Sequence, residues 1–306
     1  LLKERRGYLF IGRRRERRDA QAYLQSEQKA VMLRGMGGIG KTALAEHLLA
    51  RMIAQNPKVQ PFIINEEEQK TLDALMTQMK DYLEKYHDRF NINSETAIYT
   101  KALDQFNFLL GEVSKVCHPV FLMDNMEFFQ EGPEGPIKPS HEDIQLLLAR
   151  LWKLQRFPLI LTGRYPLQEV SDIPTVDLNS VKYADFYKKC LQLRIAELTR
   201  EPQKLPKKAD IPSLTFDHLV ALLHETLGGN YRALELFDEL YHEKQAEIQP
   251  TLEKLEEFKQ KFQGEMRGQV ESRLQSGARD LIFRALLDIL TPEEVHVLQL
   301  LKGFRI

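Results

Sequence analysis

The sequence predicts an α/β domain built on a parallel sheet with helices on both faces, followed by a purely helical region. Two observations carry the first half of that prediction. Up to residue 178, short apolar runs alternate with segments whose apolar residues recur at helical spacing. At residues 33–49, LRGMGGIGKTALAEHLL, a glycine-rich turn joins the first of these runs to the first long helix. A third observation carries the second half: beyond Asn179 only helical patterns remain.

Residues 30–34, AVMLR, form the first strand, and Leu44, Leu48, Leu49 and Met52 mark the helix after the glycines. PFIIN, 61–65, is the second buried strand. Past the acidic residues 66–68, a helix carries Leu72, Leu75, Met76, Met79, Tyr82, Leu83 and Tyr86 on one face. Another helix is expected over 96–110, ending near Gly111. PVFLMDNMEFF, 119–129, is the third strand, a continuous apolar run of the kind buried on both sides. After the loop EGPEGPIKPS, Ser140 with Asp143 three residues later makes a helix cap before 144–154. PLILT, 158–162, and TVDL, 175–178, complete the sheet.

Helices are then expected at 181–198, 215–227 and 231–242, separated by the Pro/Lys-rich TREPQKLPKKADIP and by Gly228-Gly229, with Asn230 as a cap. Residues 244–290 are charged and helical, with Leu252, Leu255, Phe258 and Phe262 spaced to one face. Thr291-Pro292-Glu293-Glu294 opens a last helix, with a threonine cap, a proline in the first turn and a glutamate completing the capping box.

At 306 residues the chain exceeds the usual single-domain size, and 43% apolar with 28% charged residues is ordinary for a globular protein. The 43 basic and 44 acidic residues leave a net charge of -1, so no global field draws polyanions and no nucleic-acid partner is expected. Cys117 and Cys190 lack CxxC spacing or a ligand-spaced histidine and read as buried thiols of a reducing compartment. No apolar run of about 18 residues and no signal-peptide pattern occurs, so a cytoplasmic protein without a membrane partner is expected. The chain begins at Leu1 rather than Met and stops at Ile306 soon after a new helix starts, as a piece of a longer protein would.

The glycine turn admits two readings. Gly35, Gly37 and Gly40 spell the dinucleotide fingerprint G-x-G-x-x-G, while Gly35, Gly40, Lys41 and Thr42 spell the triphosphate-binding G-x-x-x-x-G-K-T. The dinucleotide reading finds an acidic residue for the ribose in Glu66, but assigns no task to Lys41 or Thr42. The triphosphate reading requires a distant strand ending in aspartate, and VFLMD supplies Asp124. Two separated parts that agree outweigh either glycine pattern, which selects the triphosphate.

In that reading the backbone from Gly35 through Gly37, Gly38, Ile39 and Gly40 to Ala43 wraps the phosphates, aided by the helix N-terminus. Lys41 reaches the β- and γ-phosphates, and Thr42 and Asp124 hold Mg²⁺. Asn125 occupies the place where many such ATPases carry a catalytic glutamate. Glu127 is the nearest carboxylate, either orienting water or solvated in a loop. Arg164 follows the fourth strand in LILTGR, where its guanidinium would register a γ-phosphate. Slow, Mg²⁺-dependent ATP hydrolysis is expected.

These segments, GMGGIGKTALA, FLMDN, LTGR and the later LGGNYRAL, resemble the nucleotide-binding module of STAND ATPases. These are the NB-ARC and NACHT-related switch proteins of innate immunity, cell death and bacterial signalling and defence. YLFIGRRRE resembles the segment that precedes their P-loop, which implies that Phe10, Ile11, Gly12 and Arg13 contact base and ribose. Arg15, Arg17 and Arg18 remain a solvated helix face. The resemblance divides the chain into a P-loop domain at 1–180, a helical lid subdomain at 181–262 and a linker with the start of a winged-helix domain at 263–306. The family's adenine-packing proline corresponds to Tyr231, which either stacks on the base or packs within the lid. Arg232 faces either the phosphates or solvent.

The function so implied is an ATP/ADP-dependent switch, closed with ADP and self-associating with ATP, that controls flanking effector and sensor domains. An AAA-like remodelling or loader ATPase is the alternative; it requires a catalytic glutamate beside Asp124. A small-molecule kinase would insert its lid within the α/β domain, whereas here the helices follow the sheet.

Overall fold

The computed structural model describes residues 10–64, 71–86, 101–132, 135–193, 216–243, 250, 251, 253 and 254. They fall into two compact units. Arg13–Gly37 with Lys41–Asn179 form the first; residues 10–12, Gly38–Gly40 and the described residues from Ser180 onward form the second.

The first unit contains α1 (Arg14–Gln25), β1 (Ala30–Gly35), α2 (Lys41–Gln55), β2 (Val59–Ile64), α3 (Leu72–Tyr86), α4 (Ala102–Val116), β3 (His118–Met123), α5 (Glu142–Leu154), β4 (Leu159–Gly163) and β5 (Thr175–Leu178). The strands make one five-stranded sheet in the order β2-β3-β4-β1-β5, parallel at every pairing. This is the predicted α/β architecture, with the glycine turn between β1 and α2. β4 is buried at all five positions because it lies between two strands and under helices, while β5 at the edge alternates exposed and buried.

Met32, Phe62, Phe121, Met123 and Leu161 line the sheet, and Met76, Met79, Phe106, Leu109, Leu147 and Leu151 cover it from α3, α4 and α5. Each such fully buried side chain contributes about 1.5–3 kcal/mol by leaving water.

The topology places the candidate chemistry. β4 is inserted between β1 and β3, so three consecutive strands end side by side in the sheet: β1 leading to the glycine turn, β4 to Arg164 and β3 to Asp124. The register sets Met123 beside Leu161 and Arg34 beside Gly163.

Several expectations need correction. The helix expected to end near Gly111 continues to Val116; Val113 is fully buried, and that burial outweighs the glycine's cost of about 0.5–1 kcal/mol. Its expected start at 96–100 lies outside the described residues. The third strand ends at Met123 rather than 129, because Asn125 adopts a left-handed conformation and a 3-10 turn follows at Met126–Phe128. Ser140 and Asp143 do not cap α5: a 3-10 turn at Pro139–His141 precedes it, and the Asp143 carboxylate accepts the Leu72 N–H at the start of α3 instead. Arg15 and Arg18 are solvated, but Arg17 is half-buried, with Nη1 3.4 Å from His47 Nε2 on α2.

The second unit contains α6 (Tyr183–Cys190), α7 (Phe216–Leu227) and α8 (Tyr231–Glu243). Phe186, Leu219, Val220, Leu223, Leu227, Leu234 and Phe237 form its core. Within the described residues α6 stops at Cys190, well short of 198. Asn230 caps α8, its Oδ1 accepting the N–H groups of Arg232 and Ala233. Most of the stretch expected to be helical over 244–290, and the whole helix from Thr291, lie outside the described residues, as does Glu66. Among the described residues no helix is long and apolar enough to cross a membrane.

Candidate functional site

The candidate site is built on the turn from β1 into α2. Gly38 and Gly40 have φ of +77° and +98°, a region closed to most side chains, so the curl of the loop demands glycine there. Nothing lies within 4 Å of the position a Cβ on Gly40 would take. Ile39 is buried and pins the loop, and α2 starts at Lys41, so the helix N-terminus opens at the turn.

Lys41 is 5% exposed, and its ammonium donates to the carbonyls of Gly35 and Met36 at 2.9 and 3.1 Å. Burial pushes its pKa down from the ordinary lysine value; Glu127 and Asp124 pull it up, and Arg164 adds to the lowering. A buried cation that donates to two backbone carbonyls in a glycine loop suits an anionic ligand.

Thr42 Oγ1 lies 3.0 Å from each oxygen of Asp124. The Asp124 carboxylate, in a residue 4% exposed, also accepts from Asn125 Nδ2 at 3.3 Å and from the hydroxyl of Thr162. Thr162 is fully buried on β4, and nothing in the sequence distinguishes it from any other residue of a strand. Its hydroxyl also accepts the Asn125 N–H at 3.0 Å, which anchors the left-handed turn at φ 56° that ends β3. Asparagine adopts that conformation at lower cost than glutamate, which gives the physical reason for its presence beside Asp124.

The turn carries Glu127 back over the sheet edge. Its Oε1 is 2.9 Å from Arg164 Nε, and its side chain is 17% exposed. The alternative of a solvated loop glutamate is therefore set aside. Arg164 lies close over Gly37: a Cβ there would stand 3.0 Å from Arg164 Nη2, and the guanidinium would have to shift to admit it. The motif leaves that position free, so the sequence held no local reason for a glycine.

The fold thus gathers Lys41, Thr42, Asp124, Arg164 and Glu127 from four segments. Mg²⁺ fits the pair of Thr42 hydroxyl and buried Asp124 carboxylate: one hard anionic oxygen and one hydroxyl, with the remaining positions left to water and nucleotide oxygens. Among the described residues no cluster of three or more His, Cys, Asp or Glu side chains forms a metal cage.

In the second unit, Tyr231 is half-buried with its ring stacked on Phe186, centroids 6.4 Å apart and planes 16° from parallel. Its hydroxyl donates to the Ile11 carbonyl at 3.4 Å, so two elements assigned to the base meet there. Gly12 has φ +77°, and a Cβ on it would collide with Asp185 Oδ2 at 2.6 Å. Phe10 and Ile11 are half-buried. Arg13, counted with the first unit, caps α1 in a left-handed conformation and pairs with Glu16 at 3.1 Å. Gly35 and Ala43 flank the glycine turn, ending β1 and continuing α2. Arg232 is 59% exposed and stands 3.7 Å from Glu235, while its Cβ lies 3.0 Å from where a Cβ on Gly38 would be, so both of its alternatives stay open.

No protein-family model and no curated protein sequence matches this chain. Solved structures resemble it in part. C. elegans PCH-2 is 14% identical over 82% of this chain and 70% of that one, at a TM-score of 0.46. The Aeropyrum pernix ORC2 protein in its ADP form is 18% identical over 77% and 65%, at 0.47. A signal transduction ATPase with numerous domains (STAND), carrying a tetratricopeptide repeat sensor, from Pyrococcus horikoshii is 16% identical over 76% and 29%, at 0.42. The alignments thus span from 29% to 70% of those chains' lengths.

Proposed function

We propose that this chain is the nucleotide-binding module of a STAND-type molecular switch that binds ATP and ADP with Mg²⁺ and hydrolyses ATP slowly. The observation that carries the reading is the meeting of the Thr42 hydroxyl and the Asp124 carboxylate beside Lys41, at the mouth of a glycine turn whose φ angles require glycine. When bound, Mg²⁺ neutralises charge on the phosphates and orients them. Lys41 and the loop backbone from Gly35 to Ala43 bind the phosphates, Arg164 reads the terminal phosphate, and Phe10, Ile11, Gly12, Arg13 and Tyr231 serve base and ribose.

On this reading ADP favours a closed form and ATP an open form that self-associates in the cytoplasm and controls flanking effector and sensor domains. Such a switch works only through unequal affinity of the two nucleotides for the two forms. The domain boundaries at 180 and 262 and the winged-helix start belong to the same proposal.

The test is to denature the purified protein and identify the released nucleotide by chromatography. Recovered ADP or ATP supports the reading; NAD, or no binding of any adenine nucleotide with Mg²⁺ present, overturns it. Lys41→Ala is expected to weaken nucleotide binding by about a hundredfold, two charged hydrogen bonds' worth.

The AAA-like reading keeps one observation in its favour: Glu127 stands in the site although it is not adjacent to Asp124. Turnover at about ten per second or faster, the range of ordinary enzymes, favours a remodelling ATPase over the switch.

A further inference from the structure

Arg164 is held from one side and open on the other. Its Nε forms an ion pair with Glu127 Oε1 at 2.9 Å, while Nη2 faces the backbone at Gly37, close enough that a Cβ there would meet it at 3.0 Å. The two partners differ in burial: the arginine side chain is 51% exposed and the glutamate 17%. Glu127 Oε2 is buried and has no hydrogen-bond partner among the described residues.

This asymmetry decides what an arriving anion does to the pair. Pulling the guanidinium away would leave a largely buried carboxylate without its ion-pair partner and with only the more distant charge of Lys41, which is unfavourable. Keeping the Nε bond costs nothing, because a guanidinium has five N–H donors in a rigid fork and only Nε is committed to Glu127. An anion at the loop is therefore met by the Nη groups, with Glu127 still attached behind them.

We infer that Glu127 is the positioning residue of Arg164: it holds the guanidinium over Gly37, so that the terminal phosphate of a nucleoside triphosphate meets donors already in place. Glu127 thereby sets how strongly triphosphate is preferred over diphosphate. An unanchored arginine of this length would lose its rotamer freedom on binding, and the anchor removes that cost beforehand. The inference rests on the nucleotide reading of the site and adds to it the residue through which discrimination is exerted.

The experiment is calorimetric binding of ADP and of a non-hydrolysable ATP analogue, both with Mg²⁺, to the wild type, Glu127→Ala, Glu127→Gln, Arg164→Ala and the Glu127→Ala/Arg164→Ala double variant. Glu127→Ala is expected to lower analogue affinity by up to about tenfold, the worth of fixing one long side chain beforehand, and leave ADP affinity unchanged. Glu127→Gln is expected to keep most of the preference, because its amide oxygen still accepts from Nε. Arg164→Ala should lose more than Glu127→Ala, because it removes the contact itself, and adding Glu127→Ala to it should bring no further loss.

An analogue-to-ADP ratio in Glu127→Ala that stays unchanged or rises, while Arg164→Ala lowers it, overturns the inference and leaves the nucleotide reading standing. A rise would mean that Glu127 competes with phosphate instead of presenting Arg164 to it. A wild type that binds neither nucleotide overturns both.

Discussion

Thr42 Oγ1 stands 3.0 Å from both carboxylate oxygens of Asp124, a residue 82 positions further along the chain. One hydroxyl proton serves two oxygens, so the pair is arranged around a shared point instead of a single hydrogen bond. On the proposed reading, the hydroxyl and the carboxylate would serve as neighbouring ligands of one Mg²⁺. Asp124→Asn keeps the side-chain shape and removes the charge. It is expected to abolish the strengthening of nucleotide binding by Mg²⁺, and wild type treated with EDTA should match it. Calorimetry with and without Mg²⁺ checks this; an Asp124→Asn protein that still responds to Mg²⁺ would show that the metal is held elsewhere.

Thr162 holds that carboxylate from behind, donating to Asp124 and accepting from Asn125 N–H, in a residue with no solvent exposure. Thr162→Val keeps the volume and deletes both bonds, leaving a buried carboxylate short of a donor. Stability is expected to fall by about 2 kcal/mol in urea denaturation, and Thr162→Ser to recover most of it. A valine variant as stable as wild type would show that the bond has no net worth.

Gly111 sits inside α4 with nothing within 4 Å of where a Cβ would be. Its φ is not among the positive ones, so alanine fits without strain. Gly111→Ala is expected to raise stability by about 0.5–1 kcal/mol, through helix propensity and a less free unfolded chain. A loss of stability on urea titration would mean that the helix end is held differently.

Cys117 and Cys190 are buried, and burial raises their thiol pKa values to about 11 and about 12. At pH 8 about one part in a thousand of Cys117 is thiolate, and less of Cys190. Alkylation by iodoacetamide is therefore expected to be negligible in the native protein at pH 8 and complete for both after denaturation, as mass spectrometry would show. Rapid native labelling of either would contradict the burial.

What the sequence revealed about the site was its local chemistry. The glycines, Lys41 and Thr42 are read from one turn, because turn conformation and helix start are decided by neighbouring residues. Asp124 was legible because a continuous apolar run ending in one acid is itself a strand signature. Glu127 remained undecided, because its direction depends on a single left-handed residue, Asn125, whose cost no periodicity records. Asp143 looked like the cap of its own helix and instead serves Leu72, across the fold.

By itself, then, the sequence determined the α/β alternation, the glycine turn and the acid at the end of the third strand, all products of patterns a few residues long. The tertiary structure alone decided that β4 runs between β1 and β3. That choice sets Thr162 behind Asp124 and Arg164 between Glu127 and Gly37. Strand order is chosen by burial of whole faces against distant helices, a collective balance of apolar contacts. No short stretch of the chain contains that balance.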